Sequence, residues 1–218
     1  MEQILDSYFP FWNKLSDREK RSIGKATINK KFKKGNVLYS EGRSCTGIEI
    51  VKSGRVRVFI MSPNGGEITL YRLLDGDICV LSAACMINSL DVEINMEFEE
   101  DSEIYLIPKN TYKELSDNNN IVKEYTLELI SNRFSDVMWI LKQIVFTGMA
   151  NRLATALIDH SALEQSNILH ITHEKLAKDL GTAREVISRL LKQFEVDNIV
   201  SLSRGVITIT DTKKLKSI

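Results

Sequence analysis

Four polar side chains fall close together in the C-terminal third of the chain: Arg184, Glu185, Ser188 and Arg189. On a helix, offsets of one, four and five place them on adjoining turns of one face. A guanidinium offers paired donors that match the O6 and N7 acceptors of guanine. A carboxylate accepts from the amino group of cytosine, and a hydroxyl can do either. The chemistry open to this set is hydrogen-bond readout of base edges from the major groove. Each residue also has a plainer reading. An arginine on a helix is usually a solvated charge, and Glu185, three residues after Thr182, has the spacing to close a capping box instead of reading a base.

What decides between these readings is the element that would carry the four residues. Residues 171–191 hold the pattern of a helix-turn-helix: a small residue where two helices cross (Ala177), a glycine in the turn (Gly181), and apolar residues on the inner face of the second helix (Ile187, Leu190). The second helix then turns Arg184, Glu185, Ser188 and Arg189 outward. Downstream, residues 194–209 read as two short strands around a tight turn at Arg204-Gly205, which makes a wing. Thr172 and His173 at the start of the first helix, Thr182 at the start of the second and Arg204 at the wing tip are the candidates for phosphate contacts, which position a protein without reading sequence. Thr182 also suits an N-cap, and His173 a mere helix end.

Upstream, the chain changes texture twice. Ser16-Asp17-Arg18-Glu19 has the spacing of a capping box and predicts a short helix carrying Ile23, with the aromatic run Tyr8-Phe9-Pro10-Phe11-Trp12 packed in its core. From Lys33 to about Pro108, short apolar or alternating runs (residues 37–39, 48–51, 56–60 and 68–71) are separated by glycines, and Asn64-Gly65 is a hairpin signal. Many short strands at even spacing predict an antiparallel barrel or jelly roll. From about Asn118 a helical pattern runs to residue 146. Its apolar stripe includes Leu129, Phe134, Val137 and Leu141, and its length favours packing both on its own barrel and on a second copy. The expected fold class is α+β: residues 1–117 an N-terminal helix and β-barrel sensor domain, 118–146 a dimerisation helix, and 147–218 a winged helix-turn-helix.

Bulk properties set limits on these readings. The chain of 218 residues has 29 basic and 29 acidic residues; the last 72 hold ten Lys/Arg against eight Asp/Glu. Affinity for nucleic acid must therefore come from local placement, doubled in a dimer. No apolar run reaches the roughly 20 residues of a membrane span and no signal peptide opens the chain, so a cytoplasmic protein is expected. Three cysteines, Cys45, Cys79 and Cys85, suit a reducing compartment.

In order and motif, nearly the whole chain resembles the Crp/Fnr family of regulators: a glycine-punctuated barrel with a Gly76-Asp77 turn, a long helix, the 146–157 stretch and the winged helix. Residues 184–189, Arg-Glu-Val-Ile-Ser-Arg, are similar to the recognition helix of the cyclic-AMP receptor group. The resemblance implies that Arg184, Glu185 and Arg189 read bases in palindromic half-sites akin to TGTGA, with RNA polymerase as a further partner. Ser188 is closer to the other branch of the family. The resemblance also places an effector pocket on the stretch after Gly76-Asp77, here containing Leu81, Cys85, Asp91 and Val92. Where cyclic-nucleotide binders carry a glutamate for the ribose and an arginine for the phosphate, this chain has Leu81 and Asp91. A carboxylate facing an anionic phosphate exchanges a charge-assisted pair for repulsion, so cyclic AMP is disfavoured and the small-molecule effector is unidentified.

Other cofactors and classes fit less well. An iron–sulfur sensor needs four thiolates and there are three. Haem ligation is poorly served, because His160, His170 and His173 all lie in the C-terminal third, and no metal site is expected. Cys79 and Cys85 could form a dithiol switch or be inert buried thiols. A metal-dependent cupin-like enzyme would need histidines inside the barrel, which has none, so no catalytic residues are assigned. A winged helix serving as a protein-interaction scaffold remains as the alternative to DNA binding.

Overall fold

A computed structural model describes residues 2–38, 47–79 and 94–218. The chain divides into two units, Met1–Ile60 with Leu70–Met138, and Met61–Thr69 with Trp139–Ile218.

The first unit opens with α1 (Glu2–Leu5), a 3-10 turn (Trp12–Lys14) and α2 (Asp17–Ala26). Ser16 caps α2 as its sequence predicts. The Ser16 backbone N–H donates to Glu19 Oε2 at 2.7 Å, and the Glu19 N–H donates to Ser16 Oγ at 3.4 Å. The strands are β1 (Ile28–Phe32), β2 (Val37–Leu38), β3 (Gly47–Ser53), β4 (Val56–Met61), β5 (Glu67–Leu73), β6 (Ile78–Cys79), β7 (Asn95–Phe98) and β8 (Ser102–Pro108). They form two four-stranded sheets, ordered β1-β8-β3-β6 and β2-β7-β4-β5, in which β1–β8, β3–β8, β3–β6, β2–β7 and β4–β7 pair antiparallel.

Alternation along the strands divides the core. Ile48 and Ile50 of β3 with Tyr105 and Ile107 of β8 pack against Phe9, Phe11 and Trp12, so the N-terminal aromatic run is core. Val51 and Ile104 face the other way, into a cluster with Val56, Val58 and Phe98. At the β4–β5 turn Gly65 takes φ +79° and donates to Ser62 O at 2.9 Å, a conformation that Asn64-Gly65 supplies at little cost.

After β8 the structure inserts α3 (Lys109–Asn118), a helix not foreseen in the sequence, before α4 (Asn120–Phe146). Buried Tyr112 of α3 and Thr126 of α4 share a hydrogen bond of 2.9 Å between their hydroxyls. Tyr125, Leu129 and Ile130 pack on the core of the first unit. On the opposite side of the stripe, Leu127, Phe134, Met138, Leu141 and Val145 of α4 are exposed. With Ser131 in the gap they alternate in steps of four and three, the seam of a coiled coil.

The second unit comprises α5 (Met149–Glu164), β9 (Ile168–Leu169), α6 (His173–Leu180), α7 (Arg184–Val196), β10 (Val200–Ser203), β11 (Val206–Ile209) and α8 (Thr212–Lys216), with residues 61–69. Leu153, Leu157, Leu176, Ile187 and Leu191 are fully buried in its core. The strands form one antiparallel sheet ordered β10-β11-β9, a winged helix.

Candidate nucleic-acid interface

The turn between α6 and α7 is built by one glycine. Gly181 takes φ +65° as the C-cap of α6, and the Thr182 N–H returns to Ala177 O at 3.0 Å. This closure delays the start of α7 by one residue. Ala183, and not Thr182, is therefore its N-cap, and no side chain caps it, so the Thr182–Glu185 capping box does not form. Thr172 in contrast is a true cap: its Oγ1 accepts from the Lys175 N–H at 3.1 Å. Ala177 is buried at the crossing, and Ile187, Leu191 and Phe194 form the inner face of α7 with Leu190 packed beside them.

That inner face fixes the outer one. Arg184, Glu185 and Arg189 are exposed and Ser188 is half-buried. Together they line a concave strip that continues through Lys192, Gln193 and Val196. The last three were missed in the sequence, although 185, 189, 192 and 196 follow the four-three-four rhythm of one helix face. Val196 is 73% exposed, an unusual position for a valine at the end of a core-packed helix. Gln193 is held by Asp197, with Nε2 donating to both carboxylate oxygens at 3.1 Å. Glu195 Oε1 accepts from the Leu202 N–H at 2.9 Å and ties α7 to the wing. Arg204 is exposed at the β10–β11 turn, where Gly205 takes φ +74°.

Charge pairing differs among the described arginines: Arg18 and Arg21 on α2 are exposed with no ion pair among the described residues, and Arg152 meets a backbone carbonyl. Arg55, Arg57, Arg72 and Arg133 are each matched to a carboxylate, the closest being Arg57 Nη1 to Glu97 Oε2 at 2.6 Å. Among the described residues, Arg184, Arg189 and Arg204 have no ion pair. Their donors are exposed and available. His173 opens α6 with Nδ1 2.9 Å from Ser188 Oγ. Burial, and then the nearby Arg184 guanidinium, hold its pKa below the ordinary histidine value.

Behind this face, Asp179 is a buried carboxylate bonded from two elements. Its Oδ1 accepts from Thr69 Oγ1 at 2.8 Å, and its Oδ2 lies 3.1 Å from His160 Nε2. Arg152 Nη2 donates to Leu180 O at 2.6 Å, satisfying a carbonyl at the C-terminus of α6. Lys178 Nζ stands 3.3 Å from Glu67 Oε1.

Comparison with known proteins agrees with this geometry. Residues 29–119 match the cyclic nucleotide-binding domain and residues 151–218 the Crp-like helix-turn-helix domain. A crystal structure of a Crp/Fnr-family protein from Eubacterium rectale superposes with a TM-score of 0.91 at 43% identity, covering 96% of this chain and 97% of that one. The chain belongs to the Crp/Fnr family. As such it is a DNA-binding transcription regulator. More distant members include the cyclic AMP receptor protein of Thermus thermophilus, 24% identical with 86% of each chain covered, and the anaerobic regulatory protein of Bacillus subtilis, also 24% identical, covering 82% of this chain and 78% of that one.

The half that matches the cyclic nucleotide-binding domain is described in part. Leu81, Cys85, Asp91 and Val92 lie outside the described residues, as does Cys45. Next to that segment Cys79 is buried, with Sγ 3.9 Å from Met96 Sδ. Tyr71 is held beneath the Arg133 guanidinium, 4.5 Å from its ring centroid, and burial drives the phenol's pKa far above the ordinary value. On α4, Phe134 is 66% and Leu141 48% exposed, whereas Val137 is half-buried and Leu129 packs on the first unit's own core.

Proposed function

We propose that this regulator acts as a homodimer in the cytoplasm, reading a palindromic DNA duplex with one α7 in the major groove of each half-site. The observation that carries this reading is the placement of Arg184 and Arg189, exposed and without ion pairs among the described residues, on the concave strip of α7 in a winged helix-turn-helix, with Arg204 likewise unpaired at the wing tip. Unpaired surface guanidinium groups on a helix-turn-helix are poised for phosphate and base acceptors. In this assignment Arg184, Glu185, Ser188 and Arg189 face bases. Thr172, His173, Thr182 and Arg204 face phosphates, and the neutral net charge of the chain makes these local contacts the source of affinity.

Dimerisation uses the exposed seam of α4, in which Phe134 and Leu141 meet a second copy. Two recognition helices then engage half-sites about one helical turn apart, roughly 34 Å. The effector acts by population shift, favouring the arrangement in which both helices reach the same face of the duplex. Cyclic AMP is a poor candidate because Asp91 falls in sequence at the position where cyclic-nucleotide binders carry the arginine for the phosphate. RNA polymerase is the protein partner at the promoter.

Selection of bound duplexes from a random pool tests the reading. A palindrome with TGTGA-like halves is the expected product; recovery of unrelated sequences with no common half-site would overturn it.

A further inference from the structure

Ser188 does not stand alone on the recognition face. It is half-buried where its neighbours Arg184, Glu185 and Arg189 are exposed, and its hydroxyl is held 2.9 Å from Nδ1 of His173 on the other helix of the motif. We propose that His173 is a specificity-determining positioning residue, whose Nδ1 takes the hydroxyl proton of Ser188 and so leaves Ser188 to read a base as an acceptor only. This rests on the DNA reading above.

The argument follows the protons. A neutral imidazole has one N–H and one bare nitrogen, and which is which is set by the partner of the other nitrogen. Burial of the ring and the positive charge of Arg184 both disfavour the imidazolium and bias the ring toward its neutral form. The N-terminus of α6, where His173 sits, adds a positive partial charge of the same sign. The charged groups adjoining His173 in sequence on α6 are Glu174 and Lys175; from α7 the one acting on it is Arg184.

A DNA phosphate can only accept. A His173 that meets the backbone therefore keeps its proton on Nε2, Nδ1 is bare, and the Ser188 hydroxyl must donate to it. The lone pairs of Ser188 Oγ then point to the groove. In the major groove the complementary donors are the amino groups of adenine and cytosine, whereas guanine and thymine present acceptors at the corresponding edge. A serine free to rotate would accept either. The imidazole thus converts an ambivalent hydroxyl into a reader of one polarity, and links a phosphate contact to a base contact.

The two nitrogens separate this role from a phosphate contact. An asparagine carbonyl oxygen, an acceptor like the bare nitrogen, reaches the place of Nδ1, and a glutamine N–H, a donor, the place of Nε2. Duplexes would be selected from a random pool by the full-length wild type and by Ser188→Ala, His173→Asn, His173→Gln and the Ser188→Ala/His173→Gln double variant, with thermal unfolding of each followed in parallel.

The expected wild-type palindrome has one position per half-site restricted to adenine or cytosine. Ser188→Ala and His173→Gln both relax that position by about fivefold, His173→Asn retains it, and the double variant is no more relaxed than Ser188→Ala alone. Retention of the full preference by His173→Gln overturns the inference, as does relaxation at a different position or a uniform loss on all sequences. So does a Ser188→Ala variant with unchanged preference, and so does loss of the preference in His173→Asn when that variant unfolds at the wild-type temperature. In each of these cases wild-type enrichment leaves the DNA reading standing. No enrichment by the wild type removes both.

Discussion

At the scale of single residues, the recognition helix separates contacts that read from contacts that hold. Arg184 and Arg189 are exposed and without ion pairs among the described residues, so truncation to alanine costs the protein little stability and costs the complex its bidentate partners. Either substitution is expected to weaken binding to the preferred duplex by about 1–3 kcal/mol and to relax one base pair per half-site. Arg204→Ala should weaken all duplexes alike and lower the salt slope of the dimer by about two, one for each subunit. Competition assays with preferred and random duplexes distinguish the two patterns. Equal losses on both for all three substitutions would contradict the assignment.

His173 makes a second prediction. Its pKa is lowered in the folded state by burial and by Arg184, so the unfolded chain binds the proton more readily. Its contribution to stability is present above the ordinary histidine range and is lost as pH falls through the folded-state value. Thermal unfolding between pH 7 and pH 5 should therefore show an acid-side loss that His173→Asn reduces. An unchanged pH profile in that variant would remove the claim.

At the scale of elements, Gly181 and Asp179 hold the helix-turn-helix in shape. Gly181 needs φ +65°, and a Cβ there would stand 2.4 Å from Ile68 Cγ1. Gly181→Ala combines left-handed strain with overpacking and should destabilise by about 1–3 kcal/mol in denaturant unfolding. Asp179→Ala leaves Thr69 and His160 without their buried partner, at a similar cost of about 1–3 kcal/mol.

The same elements show where the sequence speaks clearly. The glycine-spaced strands, the Ser16 box and the helix-turn-helix are all signalled by residues acting over three or four positions. The start of α7 was misplaced because the Gly181 turn consumes Thr182 in a hydrogen bond to Ala177 O, a tertiary closure that capping preference does not anticipate. Helix α3 escaped because its ten residues bury only Tyr112 and Leu115, too few to set up a helical period, and its partner Thr126 is fourteen residues away. The His173–Ser188 pair was equally hidden. Each residue was a candidate alone, but a bond across fifteen positions belongs to the crossing of two helices.

At the scale of the whole molecule, the seam on α4 carries the account from one chain to two. Leu127, Phe134, Met138, Leu141 and Val145 leave an apolar line at the surface that a second copy would cover. Phe134→Glu with Leu141→Glu places like charges across that interface, and sedimentation should show a monomer. Loss of the linked half-site should lower affinity for the palindrome on the order of a hundredfold while leaving single half-site binding intact. The double variant remaining a dimer would refute the seam.

The central claim is that a chain with no net charge binds DNA by locally placed, sequence-reading contacts. It is tested most directly by titrating the purified protein with its selected palindrome and with a scrambled duplex over a range of salt concentrations. The account predicts a negative slope of log affinity against log salt for both duplexes, and at least about a thousandfold preference for the palindrome. Equal affinity for the two duplexes, or binding indifferent to salt, would contradict it.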